Sequence, residues 1–169
     1  MTKPISSLGL FGIAAVSIGC DDPSSVELLV PDEAPVSWAE AYDAPDDGLG
    51  ALVPVDVMAY DSESGEPLPG VEITVWTDAD TAWPVPTEAL VVVEPDGCPD
   101  CELWWDAERD EFIEALDHYP QVTHFTDDDG LVRLYLFVDA FPEADGNSDD
   151  LAVFVTMGTL EESFVLTPR

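Results

Sequence analysis

The chain has 169 residues, 46% of them hydrophobic and five of them tryptophan, which is enough for one domain with a core of its own. Its charge is lopsided, with 37 acidic residues against four basic ones and a formal net charge of −33. Lys3, Arg109, Arg133 and Arg169 cannot be assembled into a basic patch, which excludes nucleic acid and anionic lipid surfaces as partners held by charge. Most carboxylates must therefore be solvated or balanced by mobile cations. Self-repulsion on this scale favours folding at high ionic strength, where the Debye length shrinks from ~10 Å towards ~3 Å.

Residues 1–20 read MTKPISSLGLFGIAAVSIGC. One cation, Lys3, precedes an apolar stretch from about Ile5 to Val16, followed by small residues and a cysteine. The stretch is too short to cross a ~30 Å hydrocarbon core, so 1–19 reads as a signal peptide rather than an anchoring helix. Its end resembles a bacterial lipoprotein signal, in which the cleavage box closes on a cysteine that becomes diacylated. Gly19 fits that pattern; Ser17 departs from it, since Leu, Val or Ile is usual three places before the cysteine. The resemblance implies lipid attachment at Cys20 and residence in the cell envelope, at the outer membrane or cell surface rather than the inner membrane. Ordinary secretion with Cys20 left free is the alternative. Residues 20–50 are rich in Asp, Pro, Ser and Ala, and read as an acidic tether between lipid and domain.

From residue 51 the pattern turns to strands. Leu52, Val53, Val55, Val57 and Ala59 largely alternate with Pro54, Asp56 and Met58. The cluster DSESGEPLPG (61–70) is a turn, because Gly65 supplies backbone freedom and Pro67 and Pro69 forbid a helix. VEITVW (71–76) alternates again, and ALVVVE (89–94) reads as a short buried strand. THFTDDDG (123–130) is a strand end and tight turn leading into LVRLYLFV (131–138), where Val132, Leu134, Leu136 and Val138 share one face. LAVFVTMG (151–158) and ESFVLTP (162–168) close the chain as a hairpin. Strands at this spacing, punctuated by Gly, Pro and Asp, predict an all-β sandwich rather than alternating α/β units.

Three runs carry a family resemblance. VDVMAYDSESGEPLPGVEITVW resembles the opening strands of bacterial Ig-like domains of the invasin and intimin group. THFTDDDGLVRLYLFV is similar to that family's turn and following strand, and LAVFVTMGTLEESFVLTP to its closing hairpin. Transthyretin-like and carboxypeptidase-regulatory-like modules share the first of these. The resemblance covers about 52–78 and 123–168, and implies an immunoglobulin-like β-sandwich over 51–169 in which TDDDG is a structural turn. It also implies a binding or structural role without catalysis. The stretch 79–122 exceeds the family's usual middle and is expected as an insertion outside the core. Within it, DAERDEFIEALDHY (106–119) has the composition of one short helix, with a hairpin WWD–AER–DEF as the alternative.

The insertion also holds most of the residues with chemical potential. Cys98 and Cys101 enclose Pro99 and Asp100, and in an exported protein such a pair is expected to form a small disulfide. With His118 and His124, the two histidines of the chain, they also make a C-x2-C-x16-H-x5-H set that could ligate zinc, though the central gap is long for a finger. Trp83, Trp104, Trp105 and Tyr119 could form an aromatic platform for a sugar or peptide, or could simply fill a core. Asp127–Asp129 and the turn holding Asp145, Asn147 and Asp149 do not complete a calcium loop, since neither has glutamate at the twelfth place. Ser/His/Asp nucleophile signatures are missing from the sequence. The expectation is a non-enzymatic, lipid-anchored envelope protein without cofactor, touching the membrane through Cys20 and an envelope or surface protein through its sandwich. The alternatives are a zinc- or thiol-dependent activity housed in 79–122, or a subunit of a surface assembly.

Overall fold

The computed structural model describes residues 25–38, 50–94, 103–115, 118–139 and 151–168. The sandwich starts earlier than the composition suggests. Strands β1 (Val26–Leu29) and β2 (Glu33–Val36) lie in the stretch read as tether, yet β1 pairs antiparallel with β3 (Gly50–Asp61), and β2 pairs parallel with the last strand, β12 (Leu160–Pro168). Alternate side chains explain the correction. Leu28, Ala34 and Val36 are buried in the main core, while Glu27, Glu33 and Pro35 face outward.

The remaining strands are β4 (Glu72–Thr77), β5 (Ala82–Val85), β6 (Leu90–Val93), β7 (Leu103–Asp106), β8 (Glu111–Ala115), β9 (Gln121–Phe125), β10 (Leu131–Val138) and β11 (Leu151–Met157). A seven-stranded sheet runs β5-β10-β3-β7-β8-β6, with β1 beside the far half of β3. A five-stranded sheet runs β2-β12-β11-β4-β9. In immunoglobulin terms β1, β3, β10 and β5 take the places of strands A, B, E and D, and β4, β11 and β12 those of C, F and G. The first strand is split between the sheets, its second half (β2) lying parallel to the last strand. The fold is an immunoglobulin-like β-sandwich.

Between the sheets, Val53, Val55, Val57, Ile73, Val75, Leu134, Leu136, Val153, Val155, Phe164 and Leu166 form one continuous core. Val75, Leu136 and Val155 are fully buried, each of the three drawn from a different strand and between them from both sheets. Burying one such side chain stabilises by roughly 1.5–3 kcal/mol, so the alternation fixes the register of every strand that contributes to it. The turn joining β9 to β10 is structural. Asp127 Oδ1 accepts the N–H groups of Asp129 (2.9 Å) and Leu131 (3.0 Å), and Gly130 takes φ 72°, with Ala59 O only 2.6 Å from where a Cβ would sit. The buried Thr126 hydroxyl donates to Leu68 O and accepts from Val71 N, tying this turn to the β3–β4 connection.

The inserted stretch is not outside the fold. Its first strand, β5, is strand D itself, and beyond it β7 pairs parallel with the start of β3, β8 pairs with β7, and β6 pairs with β8, so β6–β8 extend the A-B-E-D sheet. Of the two readings of 106–119, a short helix or the hairpin WWD–AER–DEF, the described residues form the hairpin, β7–β8. Asp106 Oδ1 caps its turn by accepting the N–H groups of Glu108 (3.0 Å) and Arg109 (3.3 Å), and Asp110 takes φ 58°. Aspartate tolerates that left-handed conformation better than most residues. Helix propensity is worth only tenths of a kcal/mol per residue, and burial of Trp104 and Ile113 on one face of the hairpin outweighs it. Nor is 89–94 a buried strand: β6 is a sheet edge, with Val91 40% and Val92 57% exposed.

Candidate functional site

The outer face of the A-B-E-D sheet carries a second hydrophobic cluster. Leu52 on β3, Val85 on β5 and Tyr135 and Phe137 on β10 point away from the main core, where a sandwich ordinarily meets water. Here Ala89, Trp104 and Ile113 of the insertion cover them. Trp104 is 1% exposed and stacks on Phe137 with ring centroids 4.2 Å apart. Gly50 permits the approach: a Cβ there would meet the Trp104 ring at 2.0 Å.

Both cations among the described residues clip the β7–β8 turn to this face. Arg133 on β10 donates to both carboxylate oxygens of Asp56 on β3 (2.8 and 3.0 Å), and its remaining terminal nitrogen reaches Glu108 (3.0 and 3.2 Å). The guanidinium beside Asp56 holds its carboxyl below the usual range, chiefly through the hydrogen bonds and against a small desolvation effect. Arg109 donates to the Tyr135 hydroxyl (3.1 Å), lies 5.7 Å from that ring's centre, and faces the buried carboxylate of Asp106 at 3.5 Å. These pairs are exposed on at least one side, so each contributes on the order of 1 kcal/mol or less; their effect is to orient the turn.

Of the aromatic residues singled out from the sequence, three meet. The β4–β5 connection and the segment entering β9 run side by side, leaving an open cleft of about 400 Å3 lined by Thr77, Asp78, Asp80, Trp83, His118 and Tyr119 among others. Trp83 projects outward from β5. Its ring lies 4.2 Å from His118 and meets Trp104 edge-on at 5.0 Å, so the floor of the cleft rests on the second cluster. Tyr119 packs against both cores. The Thr77 hydroxyl is committed to the backbone oxygens of Ala79 and Ala82, which shapes the wall. Asp78, Asp80 and His118 are exposed at the rim. An aromatic floor with two carboxylates at its rim suits a flat or cationic group.

Trp104 itself is core and no platform. Trp105, one residue on, points to the opposite side of the hairpin and tilts against Phe112 at 5.2 Å. His124 lies in β9, paired with Ile73 and so carried away from His118 along the strand. Burial pushes its pKa below the ordinary value, an effect only partly offset by the charge of Glu88. Its Nε2 is buried and has no hydrogen-bond partner among the described residues. Cys20, Cys98 and Cys101 lie outside the described residues, and with them the lipid attachment, the disulfide and half of the zinc set. Among the described residues no group of three or more His, Cys, Asp or Glu side chains is placed to hold a metal.

Sequence reasoning missed the two arginine clips. The signal was in plain view, since Arg109 and Arg133 are half of all the cations in a chain of −33 and each was bound to select particular acids. No protein-family model matches the chain, and no curated protein matches it.

Proposed function

We propose that the protein is a lipid-anchored, non-catalytic envelope module of the bacterial Ig-like kind, which engages a partner through the inserted part of its sandwich. The observation that carries this reading is the second hydrophobic cluster. The insertion covers with Ala89, Trp104 and Ile113 the outer face of a sheet that could have met solvent, and so presents a built surface beside the Trp83–His118–Tyr119 cleft. Three things support the family assignment: the first matched run supplies strands B and C with their turn, the second the turn and strand E, and the third strands F and G. The lipoprotein-like start supports anchorage at Cys20, with lipid on the outer membrane or cell surface.

Two measurements test the two halves. Metabolic labelling with an alkyne fatty acid should tag the wild-type chain and fail to tag Cys20→Ser, which should then leave the membrane fraction. An unlabelled wild-type chain with a free Cys20 thiol contradicts the anchor. Affinity capture from envelope extract should recover a partner whose retention falls on His118→Ala and Tyr119→Ala. Recovery that is unchanged by both, or no partner at any salt concentration, contradicts the binding role.

A further inference from the structure

The edges of the two sheets are unequally guarded. Among the described residues, β1 carries Glu27, β2 carries Glu33 and Pro35, β5 carries Pro84, and β9 lies against β5 of the opposite sheet. Proline and charge are the usual means of blunting an edge, because they deny an incoming strand its hydrogen bonds or its dry contact. Strand β6 has neither. Its residues are Leu90, Val91, Val92 and Val93, among the described residues it pairs only with β8, and Val91 and Val92 are among the exposed large apolar side chains described. Leu90 packs against the second cluster, and among the described residues no strand lies on the other side of β6.

Its surroundings are uniformly acidic. Glu88 precedes the strand, Glu94 follows it, and Glu111 and Glu114 stand on the neighbouring β8. A small depression of about 150 Å3, lined by Val92, Val93, Glu94, Asp110, Glu111 and Phe112, opens beside it. Both arginines among the described residues are committed elsewhere, Arg109 to Asp106 and Tyr135, and Arg133 to Asp56 and Glu108. We propose that the free edge of β6 receives an extended segment of a partner protein, in which apolar residues alternate with lysine or arginine, as an added strand. Backbone hydrogen bonds supply affinity, Val91 and Val92 supply apolar contact, and the acidic rim selects the cationic segment. Charge disfavours a second copy as occupant, since two chains of −33 would bring Glu88 and Glu94 of each against the other. The site is separate from the cleft and does not depend on the lipid anchor.

The test uses a short capped peptide of alternating lysine and valine as probe, with its glutamate–valine counterpart as control, titrated into isotopically labelled protein at low and high salt. The lysine peptide should bind, perturb the amides of 90–93, protect those facing outward from exchange, and weaken as salt is raised; the glutamate peptide should not bind. Val91→Lys with Val92→Lys should weaken the lysine peptide by about tenfold or more, while the same two charges placed at Leu29→Lys and Leu131→Lys, another exposed apolar patch, should change it by less than about twofold. Equal weakening by both pairs would reduce the binding to general attraction by an acidic surface and overturn the proposal. So would outward β6 amides already protected in the free chain, dimerisation through β6 at the same salt, or no binding at the lowest salt at which the chain remains folded.

Discussion

Replacing Trp104 by alanine should be among the most damaging single changes the domain can suffer. A buried tryptophan removes roughly 150–250 Å2 from water, which at ~25 cal/mol per Å2 corresponds to about 4–6 kcal/mol. Two corrections act in opposite directions. The cavity left above Phe137 adds to the loss, whereas the indole N–H has no partner among the described residues, and removing that buried donor returns about 1–3 kcal/mol. The net expectation is a loss of about 3–5 kcal/mol. Trp105→Ala, one residue away on the opposite and half-buried side, should cost about 1 kcal/mol. Urea unfolding followed by far-ultraviolet circular dichroism, at one fixed high salt concentration, measures both, with the slope checked against a two-state transition. A Trp104→Ala loss below about 1 kcal/mol, or equal losses for the two variants, would refute the placement of the hairpin over the outer face.

Three further outcomes follow from the same packing. Gly50→Ala should destabilise by about 1–3 kcal/mol, because the new methyl meets the Trp104 ring, and the double variant with Trp104→Ala should be less unstable than the sum of the two; strict additivity in the unfolding free energies would contradict the contact. Asp56 should titrate below 3.8 in the wild type and return towards that value in Arg133→Met. Because the folded value is the lower one, the pair contributes stability above the unfolded pKa and loses it as pH falls through the folded pKa; carboxyl-detected NMR titration of both proteins checks it. His124 should titrate below 6.5. The unfolded chain then takes up its proton first, so the contribution is complete above 6.5 and declines as pH drops below it. Ring-proton shifts that place His124 at or above 6.5 would contradict its burial.

The central sandwich was legible because its strands obey period two and its turns carry Gly, Pro and Asp where the backbone needs them. Val132, Leu134, Leu136 and Val138 are a direct case. The opposite face of the same strand shows where pattern reading stops. Leu131 and Arg133 remain exposed, whereas Tyr135 and Phe137 are buried because residues distant in sequence fold over them. Strands β1 and β2 are four residues each, and Glu27, Glu33, Ala34 and Pro35 among them have little strand propensity; pairing with β3 and β12 decides their conformation. The sequence leaves the β7–β8 segment open between helix and hairpin for a related reason, since DAERDEFIEAL contains good helix formers and the deciding contacts, Trp104 on Phe137 and Asp106 on its own turn, are non-local or turn-specific. Trp83 and Tyr119 stand together in the sequence as candidates for an aromatic platform, but placing His118 beside them and separating Trp104 from Trp105 requires the fold and the register.

The account rests on the inserted strands being part of the folded body rather than a loose appendage. Native-state amide hydrogen exchange tests this most directly. The amides of β7 and β8 that are bonded into the sheet should exchange with protection approaching that of β3 and β10, since all four share the second cluster. Rapid exchange throughout 103–115, while β3 and β10 remain protected, would contradict it.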